Sequence, residues 1–126
     1  MVLTQRKVRL LGAGVLLLAH LFAPKVLAQD QTPNRPELML VAGNFQYVPN
    51  RLEVSQGDLI RITIRSKDNT YSFVVDEYRI IRRVPAGGST TFEFHADRTG
   101  TFRFYSNLTS DSRHAEMQGQ LVVRPQ

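Results

Sequence analysis

Residues 91–104 read Thr91-Phe92-Glu93-Phe94-His95-Ala96-Asp97-Arg98-Thr99-Gly100-Thr101-Phe102-Arg103-Phe104. Phe92 and Phe94 alternate with Thr91, Glu93 and His95. After a polar turn at Arg98-Thr99-Gly100, Phe102 and Phe104 alternate with Thr101 and Arg103. A period of two puts rings on one face and polar groups on the other, the mark of half-buried strands. His95 falls on the outward side with Glu93 and reads as a surface residue.

The same period runs upstream. Leu52 and Val54 alternate with Arg51, Glu53 and Ser55, and Ile60, Ile62 and Ile64 alternate with Arg61, Thr63 and Arg65. Leu121 to Val123 forms a short closing strand. Turn residues separate the runs at Pro49-Asn50, Gln56-Gly57-Asp58, Lys67-Asp68-Asn69 and Pro85-Ala86-Gly87-Gly88. Roughly six to eight short strands at this spacing predict an all-β antiparallel sandwich. No helical stripe, repeat or low-complexity tract follows residue 28.

The N-terminal stretch stands apart. Arg6, Lys7 and Arg9 precede the apolar run LLGAGVLLLAHLFA at 10–23, and Val26-Leu27-Ala28 offers a peptidase site. That layout predicts a secretory signal peptide over 1–28, cleaved after Ala28. The alternative is an uncleaved anchor, but the run is short of the ~20 residues a spanning helix needs, and Pro24 ends it. Residues 29–36 (QDQTPNRP) read as a polar tether, and 37–126 as the folded domain. The expected location is periplasmic or secreted, with no membrane span after cleavage.

The net charge of +5 belongs mostly to that leader. Residues 1–28 hold four of the 16 basic residues and none of the 11 acidic ones, so the remaining 98 carry a net of +1. A nucleic-acid partner loses its electrostatic support. The cluster Arg79, Arg82 and Arg83 reads as a solvated strand face. The chain has no cysteine, which removes disulfides, thiol chemistry and lipid attachment at a cysteine.

One segment breaks the strand pattern. Residues 106–118 (SNLTSDSRHAEMQ) form a long polar loop between two late strands, where function is commonly placed. With its surroundings it resembles the cupredoxin family, above all the copper A domain of cytochrome c oxidase subunit II. The resemblance runs over 37–124. Phe45-Gln46-Tyr47-Val48-Pro49 is similar to the F-x-F-x-P entry, and residues 52–58 (LEVSQGD) to the I-x-V-x-x-G-D strand and turn. Residues 66–73 (SKDNTYSF) follow S-x-D-x-x-H-x-F, Pro85-Ala86-Gly87 sits at a P-G turn, and residues 96–104 (ADRTGTFRF) match A-D-x-x-G-x-Y-x-F. Residues 118–123 (QGQLVV) resemble the closing G-x-L-x-V strand. The resemblance implies a cupredoxin-like Greek-key sandwich.

In that family the loop reads C-x-x-x-C-x-x-x-H-x-x-M. Here Ser106, Ser110, His114 and Met117 take the four positions without a gap, and Tyr71 takes that of the upstream histidine. The resemblance therefore implies that three of five copper ligands are replaced. A dinuclear copper site needs bridging thiolates, and a serine hydroxyl neither ionises readily nor suits soft Cu(I). The expected function is a non-catalytic binding or accessory module of the cell envelope, with no cofactor. Its partner would be an unidentified envelope or respiratory-system protein. The alternative is a protein that binds or carries copper weakly through His114 and Met117. Against it, Met117 packs the loop and His114 is a partly exposed polar residue. Tyr71 is expected to plug the site, ring buried and hydroxyl bonded. Ser110, Asp111 and His114 are hydrolase residue types, but no nucleophile elbow or oxyanion hole accompanies them. No enzymatic activity is expected.

Overall fold

The computed structural model describes residues 34–126, and the expected signal peptide and the first part of the tether lie outside the described residues. Nine strands follow in order: β1 (Glu37–Gly43), β2 (Gln46–Val48), β3 (Arg51–Ser55), β4 (Leu59–Ser66), β5 (Tyr71–Val75), β6 (Ile80–Val84), β7 (Ser89–His95), β8 (Gly100–Tyr105) and β9 (Gln118–Arg124). Short 3-10 turns lie at Asp76–Tyr78 and Ser112–Glu116. One sheet has the order β2-β1-β4-β7 and the other β3-β9-β8-β5-β6.

The alternation translates directly into burial. In β4, Ile60, Ile62 and Ile64 are buried while Arg61 and Arg65 face water. Phe92 in β7, with Phe102 and Phe104 in β8, turns inward. Both sheets contribute to one core, in which Phe73 lies 4.9 Å from Phe104 and 5.8 Å from Phe92 between ring centroids. Tyr47 meets the Phe104 ring edge-on at 5.1 Å. Its hydroxyl donates to the Ser72 carbonyl at 2.6 Å, so the buried phenol is satisfied.

Two features depart from a purely antiparallel reading. β1 pairs with β4 in parallel, with Leu38 opposite Ile62, and β3 pairs with β9 in parallel, with Leu52 opposite Leu121. A period of two fixes which face a residue takes but not the direction of its neighbour. The second is β5, all five of whose residues are buried. It runs between β8 and β6, and both of its faces are covered, so it shows no alternation to read.

The β1–β2 hairpin turns through Asn44 (φ 50°) and Phe45 (φ 57°), both left-handed. That geometry suits a tight hairpin but is uncommon for phenylalanine. Phe45 is held there by a hydrogen bond from its own N–H to the Tyr71 hydroxyl at 3.1 Å. The hairpin thereby reaches the end of the sandwich where the 106–118 loop lies.

Candidate functional site

The loop leaves β8 at Ser106, turns once in 3-10 geometry and rejoins the sheet at β9. Asp111 caps that turn, its carboxylate accepting from the Arg113 N–H at 2.9 Å. The guanidinium of Arg113 closes on the same carboxylate, Nη2 to Oδ2 at 2.7 Å and Nε to Oδ1 at 3.0 Å. These bonds, led by the side-chain one from Arg113, hold the Asp111 carboxyl well below the usual carboxylate range. The turn carries His114 inward, so that only 2% of it is exposed. This corrects the expectation of a partly exposed histidine: periodicity is uninformative in a loop, and the ring rolls under Phe45 and Tyr71.

His114 is the hub of the cluster. Ser106 Oγ lies 2.9 Å from Nδ1, and Ser110 Oγ lies 3.4 Å from Nε2. Ser106 Oγ also accepts from the Ser72 N–H at 3.2 Å. The edges of the Phe45 and Tyr71 rings meet the imidazole at centroid distances of 5.1 and 5.6 Å. Either tautomer leaves both nitrogens with a hydroxyl partner, since a serine can donate or accept. Met117 is buried at 1% exposure, and its backbone N–H donates to the His114 carbonyl at 3.1 Å. Tyr71, Ser106, Ser110 and His114 therefore converge, with Met117 closing the same loop into the core.

Tyr71 is wholly buried, and its hydroxyl donates to Asp68 Oδ1 at 2.7 Å. Burial first, and the neighbouring Asp68 next, raise the phenol above its usual range. The reciprocal bond, together with the N–H groups of Asn44 and Asn69, lowers Asp68. A carboxylate thus accepts from one phenol and two backbone amides at the hairpin tip. Asp68, Phe45 and Ser72 were not singled out as site residues from sequence. The signal was present, since all three lie within the quoted motif segments, but only contacts give them roles.

Asp111 is engaged by Arg113 and makes no hydrogen bond to His114, so the three residue types of a hydrolase do not form a relay. His95 is exposed at the far end of β7, away from the loop positions. Among the described residues, no group of three or more His, Cys, Asp or Glu side chains is placed to hold a metal ion. With no cysteine in the chain, the donor set does not fit a thiolate-bridged dinuclear copper centre.

The family model described as "Cupredoxin-like domain" matches residues 13–123. The chain belongs to the cupredoxin-like family. Cytochrome c oxidase subunit 2 of Thermus thermophilus is 33% identical over 92 residues, covering 73% of this chain and 68% of the relative. A longer form of that subunit from the same organism is also 33% identical over 92 residues, but this chain spans only 55% of its length. Among solved structures, a heme-copper terminal oxidase dimer gives a TM-score of 0.67 at 16% identity, covering 90% of this chain and 96% of the matched one. The periplasmic domain of cytochrome oxidase subunit II of Bradyrhizobium japonicum gives 0.63 at 15%, covering 71% and 83%. At such identities the structures speak for the cupredoxin-like fold alone. The sequence relatives tie the domain to oxidase subunit 2.

Proposed function

We propose that this chain is an exported cupredoxin-like module that has lost the dinuclear copper site, and that it serves as a non-catalytic binding or accessory component of the cell envelope. One observation carries the reading: the positions where the family resemblance puts copper ligands are turned toward one another as a hydrogen-bonded plug. Ser106 and Ser110 partner the His114 nitrogens, and the Tyr71 ring fills the place of a second imidazole. Serine oxygen satisfies a neutral histidine well and binds copper poorly. The similarity to oxidase subunit 2 supports a respiratory or metal-handling partner outside the cytoplasm. The leader over 1–28 is the proposed export signal and the tether over 29–36 its spacer. No helix among the described residues is long and apolar enough to cross a membrane.

A second reading, weak copper carriage through His114 and Met117, is favoured by one detail. The Nε2 contact with exposed Ser110 is long, at 3.4 Å, and yields to a better partner easily. Two soft donors still fall short of the three or four that a firm site requires.

The experiment that tests the first reading rebuilds the ligands. A Tyr71→His, Ser106→Cys, Ser110→Cys variant, checked for folding by circular dichroism, is expected to take up copper and show an intense thiolate-to-copper band. A folded variant that binds no copper would show that the frame has drifted from a copper site, and that the plug is not its remnant.

A further inference from the structure

The loop carrying His114 forms one wall of an open cleft of about 700 Å³, within the size range of small-molecule sites. Asn69, Thr70, Arg83, Ser110, Arg113 and His114 line it, with the Phe45 ring at one side. The balance of charge is what distinguishes it. Two guanidiniums face one carboxylate, Asp111, and both oxygens of that carboxylate are already taken by Arg113. Arg83, by contrast, takes part in none of the ion pairs among the described residues.

The two arginines are differently supported. Arg83 stands on edge strand β6, opposite Ser72 of β5, with a framework of sheet hydrogen bonds behind it. Arg113 is laid over the Phe45 ring, its guanidinium carbon 4.1 Å from the centroid, and braced by Asp111. Stacking and bracing fix a guanidinium's plane before any ligand arrives, which lowers the ordering cost of binding. The Ser110 and Thr70 hydroxyls add hydrogen-bond donors to the same wall.

We propose that this cleft binds a small oxyanion, a phosphate or a carboxylate, held by Arg83 and Arg113 with the Ser110 hydroxyl. Guanidinium pairs match the planar oxygens of such groups and repel cations, so the cleft is not a metal site. The inference rests on the reading of this loop end as a binding surface and gives that surface a ligand class.

The test is calorimetric titration of the purified protein with inorganic phosphate and, separately, with succinate. Binding of either is expected, weakening as salt rises. Arg83→Gln should weaken it about tenfold or more, the loss of one charge-assisted contact, with the melting temperature unchanged. Arg82→Gln is the control: Arg82 neighbours Arg83 but lies 4.8 Å over the Phe92 ring and does not line the cleft. It should leave affinity intact. Binding of phosphate alone, succinate alone or both would support the proposal and identify which oxyanion the cleft prefers. Failure of both to bind, an unaffected Arg83→Gln, or an equal loss in Arg82→Gln would overturn it. Tight copper binding at His114 would instead defeat the functional reading on which it rests, whatever the anions do.

Discussion

His114 shows how much a single residue can be asked to hold. A buried imidazole needs partners for both nitrogens, and here two hydroxyls supply them. Tyr71 does the corresponding work at the hairpin tip, linking the Phe45 N–H to the Asp68 carboxylate through one hydroxyl. Tyr71→Phe keeps the ring and removes that link. It is expected to cost about 1–3 kcal/mol in urea unfolding, because a part-buried N–H loses its acceptor. An unchanged midpoint would mean that water replaces the hydroxyl without loss. The spacing of Ser106, Ser110, His114 and Met117 was legible in the sequence, as was the register of Tyr71 with them. The bonding among them was not. Periodicity assigns faces in strands but is silent within a loop, so the burial of His114 and the roles of Asp68 and Phe45 emerge only from contacts.

Strands carry the next level of the account. β9 resumes the two-residue period at once after the loop, and Gly119 is its first inward position. A side chain there would run into the Phe104 ring and the backbone carbonyl of Asn50. Gly119→Ala is therefore expected to destabilise the domain by about 1–3 kcal/mol with an unchanged denaturant slope, through overpacking. A neutral result would show that Phe104 has room to turn aside. The strands with alternation, β3, β4, β7 and β8, were readable as elements, whereas β5 was not, because all five of its residues are covered. The parallel pairings of β1 with β4 and β3 with β9 depend on chain connections rather than on side-chain pattern, and so left no trace in the sequence.

For the whole molecule, the charge pattern predicts how stability depends on pH. Asp111, Asp68 and Glu53 all have their carboxyls lowered below the ordinary range, each chiefly by a hydrogen bond: from Arg113, Tyr71 and Arg51 respectively. A carboxylate with a lowered folded-state pKa contributes stability above its unfolded value, and loses it as pH falls through the folded one. Melting temperature should accordingly decline as pH drops below about 4, and Asp68→Asn with Asp111→Asn should flatten that decline. A decline equally steep in the double variant would place the acid sensitivity elsewhere.

The central claim concerns copper, and titrating the purified protein with Cu(I) and Cu(II) tests it most directly, beside His114→Ala and Met117→Ala. The account predicts no intense blue or purple absorption and no micromolar binding. Micromolar or tighter binding that disappears in both variants would contradict it in favour of copper carriage, and an intense blue or purple spectrum from the native chain would contradict it outright.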